Sequence, residues 1–200
     1  MVEIEVDEKM LEYIKNKLGA AEKQAPSVLK KAINSTAKSG RKLLAEKARE
    51  EYAIKNRDFN REMKIKNATN GRLEAIIKSD GKVLEIKEYK ATPLTYVPGG
   101  NNGSIVKGKV LKKSSPKTLE VGATKAFVAK FKSGHISVVQ RVPGKKMESN
   151  PEKTFLKKLL SPSIPKILGN EKRVYGIVEP KIQTELRDSV NKYIESILEG

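Results

Sequence analysis

Apolar residues recur along this chain first at helical spacing, then at strand spacing, then at helical spacing again. Glu3-Ile4-Glu5-Val6 alternates and predicts a short strand. Asp7 is placed to cap a helix that runs to Leu18, with Met10, Leu11, Ile14 and Leu18 as its apolar stripe and Gly19 as its stop. Pro26 suits the first turn of a second helix reaching about Tyr52. On that helix Leu29, Ile33, Ala37, Gly40, Leu44 and Ala48 share one face, and Lys30, Lys31, Lys38, Arg41, Lys42 and Arg49 lie on the other side. At 1.5 Å per residue it is roughly 35–40 Å long. Ala32, Ala37 and Gly40 let another backbone come close, which makes Leu29, Ile33, Ala37, Gly40 and Leu44 candidate subunit contacts. Asp58 to Met63 is expected to add a short helix.

From Ile65 to about Val142 the period shifts towards two. Leu73, Ala75 and Ile77 alternate with Glu74, Ile76 and Lys78, and after the Ser79-Asp80-Gly81 turn Val83 to Tyr89 reads as the returning strand of a hairpin. Pro98 to Ser104 reads as a loop, and 105–112, 126–132 and 136–142 as further strands. Asn150-Pro151 opens a predicted short helix to Leu160, which Ser161-Pro162-Ser163-Ile164-Pro165 breaks because prolines donate no backbone bond. Ile182, Leu186, Val190, Tyr193 and Ile197 define a final amphipathic helix to Gly200, with Pro180 in its first turn. The fold class that follows is α+β: N-terminal helices, a central mainly antiparallel sheet, and a C-terminal amphipathic helix packed on the sheet. No internal repeat appears. The reading is one domain over 1–200, helical over 1–64, strand-rich and basic over 65–145, and helical over 146–200.

Composition narrows the chemistry. The 200 residues include no cysteine, which excludes disulfides, thiolate metal sites and cysteine nucleophiles. The acidic start shows no signal peptide, and no apolar run approaches the roughly 18 residues of a membrane span. The expectation is a protein kept in the cytosol or built into a particle assembled there.

Catalytic groups are scarce. His135 is the only histidine, in a Ser-Gly-His turn beside lysines, and a turn or partner-contact role fits it better than general-base work. Gly99-Gly100-Asn101-Asn102-Gly103 lacks the strand–glycine–helix context of a phosphate loop. There is no metal-ligand cluster and no Walker-type motif, so neither a cofactor nor an enzymatic activity is expected.

The charge is more informative. The net charge is +17, and residues 105–147 hold eleven Lys/Arg against the single acid Glu120. Lys107, Lys109, Lys112, Lys113, Lys125, Lys130 and Lys132 are the candidates for direct, salt-dependent phosphate contact. A basic surface meeting an acidic partner, or lining a channel that DNA traverses, fits equally well. A solvated face with no partner is the competing reading. Phe127 and Phe131 are read as core residues, which argues against a base-stacking RNA module.

Three stretches carry a resemblance. Ala25 to Ala37 contains Ala32-Ile33-Asn34-Ser35-Thr36-Ala37 and runs on to Tyr52-Ala53-Ile54-Lys55. Ala126-Phe127-Val128-Ala129 leads to Ser133-Gly134-His135, and Ser161-Pro162-Ser163-Ile164-Pro165 precedes the last helix. Together they resemble the prophage minor tail protein Z family, with Ser161 standing where that pattern has glycine. The resemblance implies a structural tail protein acting in tail completion or head–tail connection. It further implies a homo-oligomeric ring around the tail axis, contacts with other tail or head–tail joining proteins, and residence in a virion tail assembled in the bacterial host cytoplasm. A free basic nucleic-acid-binding protein, using the 105–147 block, is the alternative.

Overall fold

Helix makes up 41% and strand 30% of the chain, so the fold is mixed α+β, as the alternating periods predict. The computed structural model describes residues 2–5, 8–55, 57–98, 105–121 and 124–199. Asp7, the expected helix cap, and residues 99–104 of the expected glycine-rich loop lie outside them. The chain divides into two units, one formed by Met1–Ala48, Asp58–Gly81 and Ile164–Gly200, the other by Arg49–Arg57 and Lys82–Ser163.

The first unit holds β1 (Val2–Glu5), α1 (Glu8–Leu18), most of α2 (Ala25–Glu51), β2 (Lys64–Lys66), β3 (Glu74–Lys78), α3 (Ile164–Leu168) and α4 (Tyr175–Leu198). Its sheet has the order β1-β3-β2, both pairings antiparallel, with Ile4 opposite Ala75 and Ile65 opposite Ile77. Both helices of the N-terminal half fall where the apolar spacing puts them. On α2 the face expected to be apolar is buried throughout, and Val28, Ala32, Thr36 and Ala45 join it. At Gly40 other elements come close to α2. A Cβ there would lie 3.1 Å from Ile182 Cδ1 on α4 and 3.6 Å from Ile77 Cδ1 on β3.

Among the described residues the sheets of the second unit have two or three strands each and are all antiparallel. β4 (Leu84–Glu85) pairs with β13 (Leu160–Ser161). β5 (Lys90–Thr92), β6 (Lys107–Lys109) and β7 (Lys117–Thr118) form one three-stranded sheet in that order. β8 (Glu120–Val121) pairs with β9 (Thr124–Lys125), and β10 (Phe127–Lys130), β11 (Ile136–Met147) and β12 (Asn150–Lys158) form another. Tyr89 is fully buried among them, and its hydroxyl donates to Pro162 O at 2.7 Å. Burial first, then the nearby Tyr52 and Glu88, push that hydroxyl's pKa well above its ordinary value of 10.0.

Five local expectations are corrected. Residues 58–63 form turns, because Asp58 Oδ1 accepts the Asn60 N–H at 3.0 Å and competes with helical bonding. Val83 to Tyr89 does not return along β3, whose two edges are already taken by β1 and β2; Leu84–Glu85 pairs with β13 and Ile86–Glu88 forms a 3-10 turn. Residues 150–158 are strand rather than helix, since pairing with β11 outweighs a local pattern that looked helical. α4 starts at Tyr175, so Pro180 lies inside it, and its buried stripe is Val178, Ile182, Leu186, Val190 and Ile194. Phe127 and Phe131 are half-buried under cations instead of forming core, with Arg141 5.3 Å from one ring and Lys158 5.3 Å from the other.

Gly40→Val is expected to drive its side chain into Ile182 and Ile77 and to destabilise the protein by roughly 1–3 kcal/mol. A urea unfolding midpoint equal to that of the unmodified protein would refute this account of the α2–α4 approach.

Candidate functional site

The seven candidate lysines all lie in the second unit, but on different sheets. Lys107 and Lys109 flank Gly108 on β6. Gly108 faces inward, where a Cβ would lie 3.2 Å from Leu119 Cδ1, so the strand's alternation sends both lysines to the outer face. The register then places Lys90 directly opposite Lys109, an addition the sequence block missed because Lys90 lies outside it. Like charges directly opposite each other destabilise a sheet. Lys109 relieves part of this by donating to Lys112 O at 2.6 Å. Lys112 and Lys113 occupy the turn after β6, exposed. Lys125 lies on β9 opposite Glu120, Lys130 ends β10, and Lys132 is in the following turn.

Charge is partitioned between the units. The second has 20 Lys/Arg against 7 Asp/Glu, a net +13; the first has 21 against 17, a net +4. The basic character of this chain therefore belongs to one unit.

That unit is organised around one carboxylate. Glu85 Oε1 lies 2.9 Å from His135 Nε2 and 3.2 Å from Lys158 Nζ. Oε2 accepts from Ser137 Oγ at 2.6 Å and lies 3.5 Å from Lys87 Nζ. Lys87 Nζ also donates to Ile136 O at 2.6 Å. Burial alone would raise the Glu85 pKa, but the hydrogen bonds from Ser137, Lys158 and His135 and the charge on Lys87 outweigh it and hold it at about 2, against an ordinary 4.5. Ser137 and His135 share this acceptor and do not form the serine-to-histidine relay of a nucleophilic triad. The node ties three segments of the unit together, 85–87, 135–137 and Lys158.

A second clamp lies in the first unit. The Asn34 side chain imitates a strand partner: Nδ2 donates to Ala68 O at 3.0 Å, and Oδ1 accepts from Ala68 N at 2.7 Å. Leu29, Ile33, Ala37, Gly40 and Leu44, read as possible subunit contacts, are buried within this unit of a single chain. Among the described residues no group of His, Cys, Asp or Glu is arranged to hold a metal ion, and no helix is long and apolar enough to cross a membrane.

The family model of prophage minor tail protein Z matches residues 9–199. The chain belongs to that family. No curated protein and no solved structure matches it. Minor tail protein Z is a structural component of the virion tail, and the motifs that suggested the family take structural positions here. Asn34, within Ala-Ile-Asn-x-Thr-Ala, holds the Ala68 peptide. Tyr52 and Ile54 form bridges to Leu111 and Tyr89, and Lys55 N donates to Glu88 O. Gly134 takes φ +82, which turns the chain so that His135 reaches Glu85. Pro162 supplies the carbonyl for Tyr89. Each motif joins segments far apart in sequence.

Asn34→Ala is expected to lose about 1–3 kcal/mol, since it strands both polar groups of a part-buried peptide; chemical denaturation measures it, and a neutral effect would refute the clamp. Glu85→Gln probes the node through pH. Because the folded pKa is lowered, the stability Glu85 contributes is present above its unfolded value of 4.5 and is lost as pH falls towards about 2. The gap in thermal midpoint between the unmodified protein and Glu85→Gln should therefore be widest near neutrality and close on acidification.

Proposed function

We propose that this protein completes the tail, or connects tail to head, as one subunit of a ring near the DNA path. The observation that carries the reading is the concentration of net +13 in the second unit of a minor tail protein Z family member. A structural tail component with most of its net charge in one unit has one part suited to a polyanion and another that is nearer to balance. In this arrangement the second unit faces the DNA and the first unit supplies packing to other tail proteins. The buried face of α2 is already covered within one chain, so ring contacts fall to exposed surfaces, joined head to tail so that the rotation closes. Assembly takes place in the host cytoplasm, where the other tail proteins are made.

Electron microscopy of particles produced without this gene, with their infectivity, tests the reading. Separate heads and tails, or joined particles unable to deliver DNA, are the expected result. Normal, infectious particles would overturn it. Mass measurement of the purified protein adds a check on the ring, whose mass should be a whole multiple of 22.2 kDa.

A further inference from the structure

We infer that the distal half of the β11–β12 hairpin is an arm that contacts double-stranded nucleic acid through its lysines. The inference rests on the tail reading above and adds a site outside the seven lysines considered so far. The β10–β11 ladder runs from Lys130 opposite Ile136 to Phe127 opposite Val139, so beyond Val139 β11 is paired in the sheet with β12 alone, with Gln140 donating to Thr124 O and Arg141 lying over Phe127 at the root of the arm. Eight residues, Gln140 to Met147, continue past that point, roughly 25 Å of extended chain before the bulge is counted. Ser137 to Gln140 are buried, whereas Arg141, Pro143 to Lys146 and Pro151 to Lys153 are exposed.

A two-stranded ribbon is marginal on its own in water, so its persistence beyond the core calls for an external role. Its edges are poorly suited to pairing with another strand. Pro143 and Pro151 lack donors, the register shifts between Arg141 and Lys146, and Gly144 takes φ +74. Side-chain contact remains. Residues 141–158 hold six Lys/Arg against Glu148 and Glu152. Only Lys158, at the base, is engaged with a carboxylate; among the described residues Arg141, Lys145, Lys146, Lys153 and Lys157 form no ion pair. Lys145 Nζ lies 4.4 Å from the Phe155 ring centroid, so an aromatic face steadies the side chain while its charge stays available.

The shape selects the partner. Two strands about 4.8 Å apart fit the major groove, about 12 Å wide, which admits a β-ribbon. Cations spread along both strands match the repeating phosphates of a duplex better than a local cluster of carboxylates on a protein.

Fluorescence anisotropy of the full-length protein on a mixed-sequence DNA duplex, across a salt series, tests the arm. One variant combines Lys145→Gln, Lys146→Gln and Lys153→Gln; a charge-matched control combines Lys107→Gln, Lys109→Gln and Lys112→Gln. The arm variant is expected to bind about tenfold or more weakly, with a salt slope shallower by about 2–3, and the control to lose clearly less. Arginine at the same arm positions should restore binding. Equal losses in the two variants would show that total charge alone governs binding and would overturn the arm. Unchanged binding by the arm variant would do the same, as would an unmodified protein that binds polyglutamate but not the duplex. The tail reading is scored separately on particles lacking the gene, so it stands or falls independently.

Discussion

The first unit depends on how closely α2 lets other elements approach. A helix surrounded by large side chains keeps its neighbours 8–10 Å away, axis to axis. Ala32, Ala37 and Gly40 thin the inward face of α2, and at Gly40 there is room for Ile182 of α4 and Ile77 of β3 because no Cβ intervenes. Asn34 extends the same helix's influence from packing to hydrogen bonding, since its amide completes the Ala68 peptide. One stretch of thirteen or so residues thereby sets where the C-terminal helix, the small sheet and the 68–72 turn lie.

The second unit faces the opposite problem, with too much charge of one sign. Its short sheets have little apolar face, and the Lys90–Lys109 register places repulsion across a ladder. Glu85 offsets part of this locally by drawing Lys87, Lys158 and His135 around one carboxylate. One carboxylate offsets one unit of positive charge, and placed between Lys87 and Lys158 it lowers the repulsion between them. Among the described residues the other lysines of this unit form no ion pair, consistent with a unit that meets a polyanion.

The three long helices α1, α2 and α4 were legible in the sequence because their periodicity is local: on α2 residues 29, 33, 37, 40, 44 and 48 lie on one face whatever else the chain does. The general α+β class and the family were legible for a similar reason, the first from the change of period and the second from motifs carried whole. Strand partners were not. Whether Leu84–Glu85 pairs with β3 or with β13 is decided some 75 residues away, by Leu160–Ser161, and whether 150–158 becomes helix or strand is decided by β11. The site shows the same division. The lysine block was visible by counting, but Lys90 enters it only through register, and Glu85 attracted no notice because an isolated glutamate looks like ordinary surface until His135, Ser137 and Lys158 converge on it. Gly40 was visible as a small residue on the apolar face, but that Ile182 and Ile77 of the same chain approach it was not.

The order in which the segments occur along the chain has a consequence for synthesis. The first unit needs 164–200 to cover α2, and those residues are translated after the rest of that unit. The second unit takes one strand of chain from 49–57 and the rest from 82–163, so it too closes across an interruption. During translation α2 therefore waits with its apolar face uncovered until α4 emerges, a period in which nascent chains are prone to wrong association. A product truncated before α4 retains the basic unit's sequence while leaving the α2 face around Gly40 uncovered.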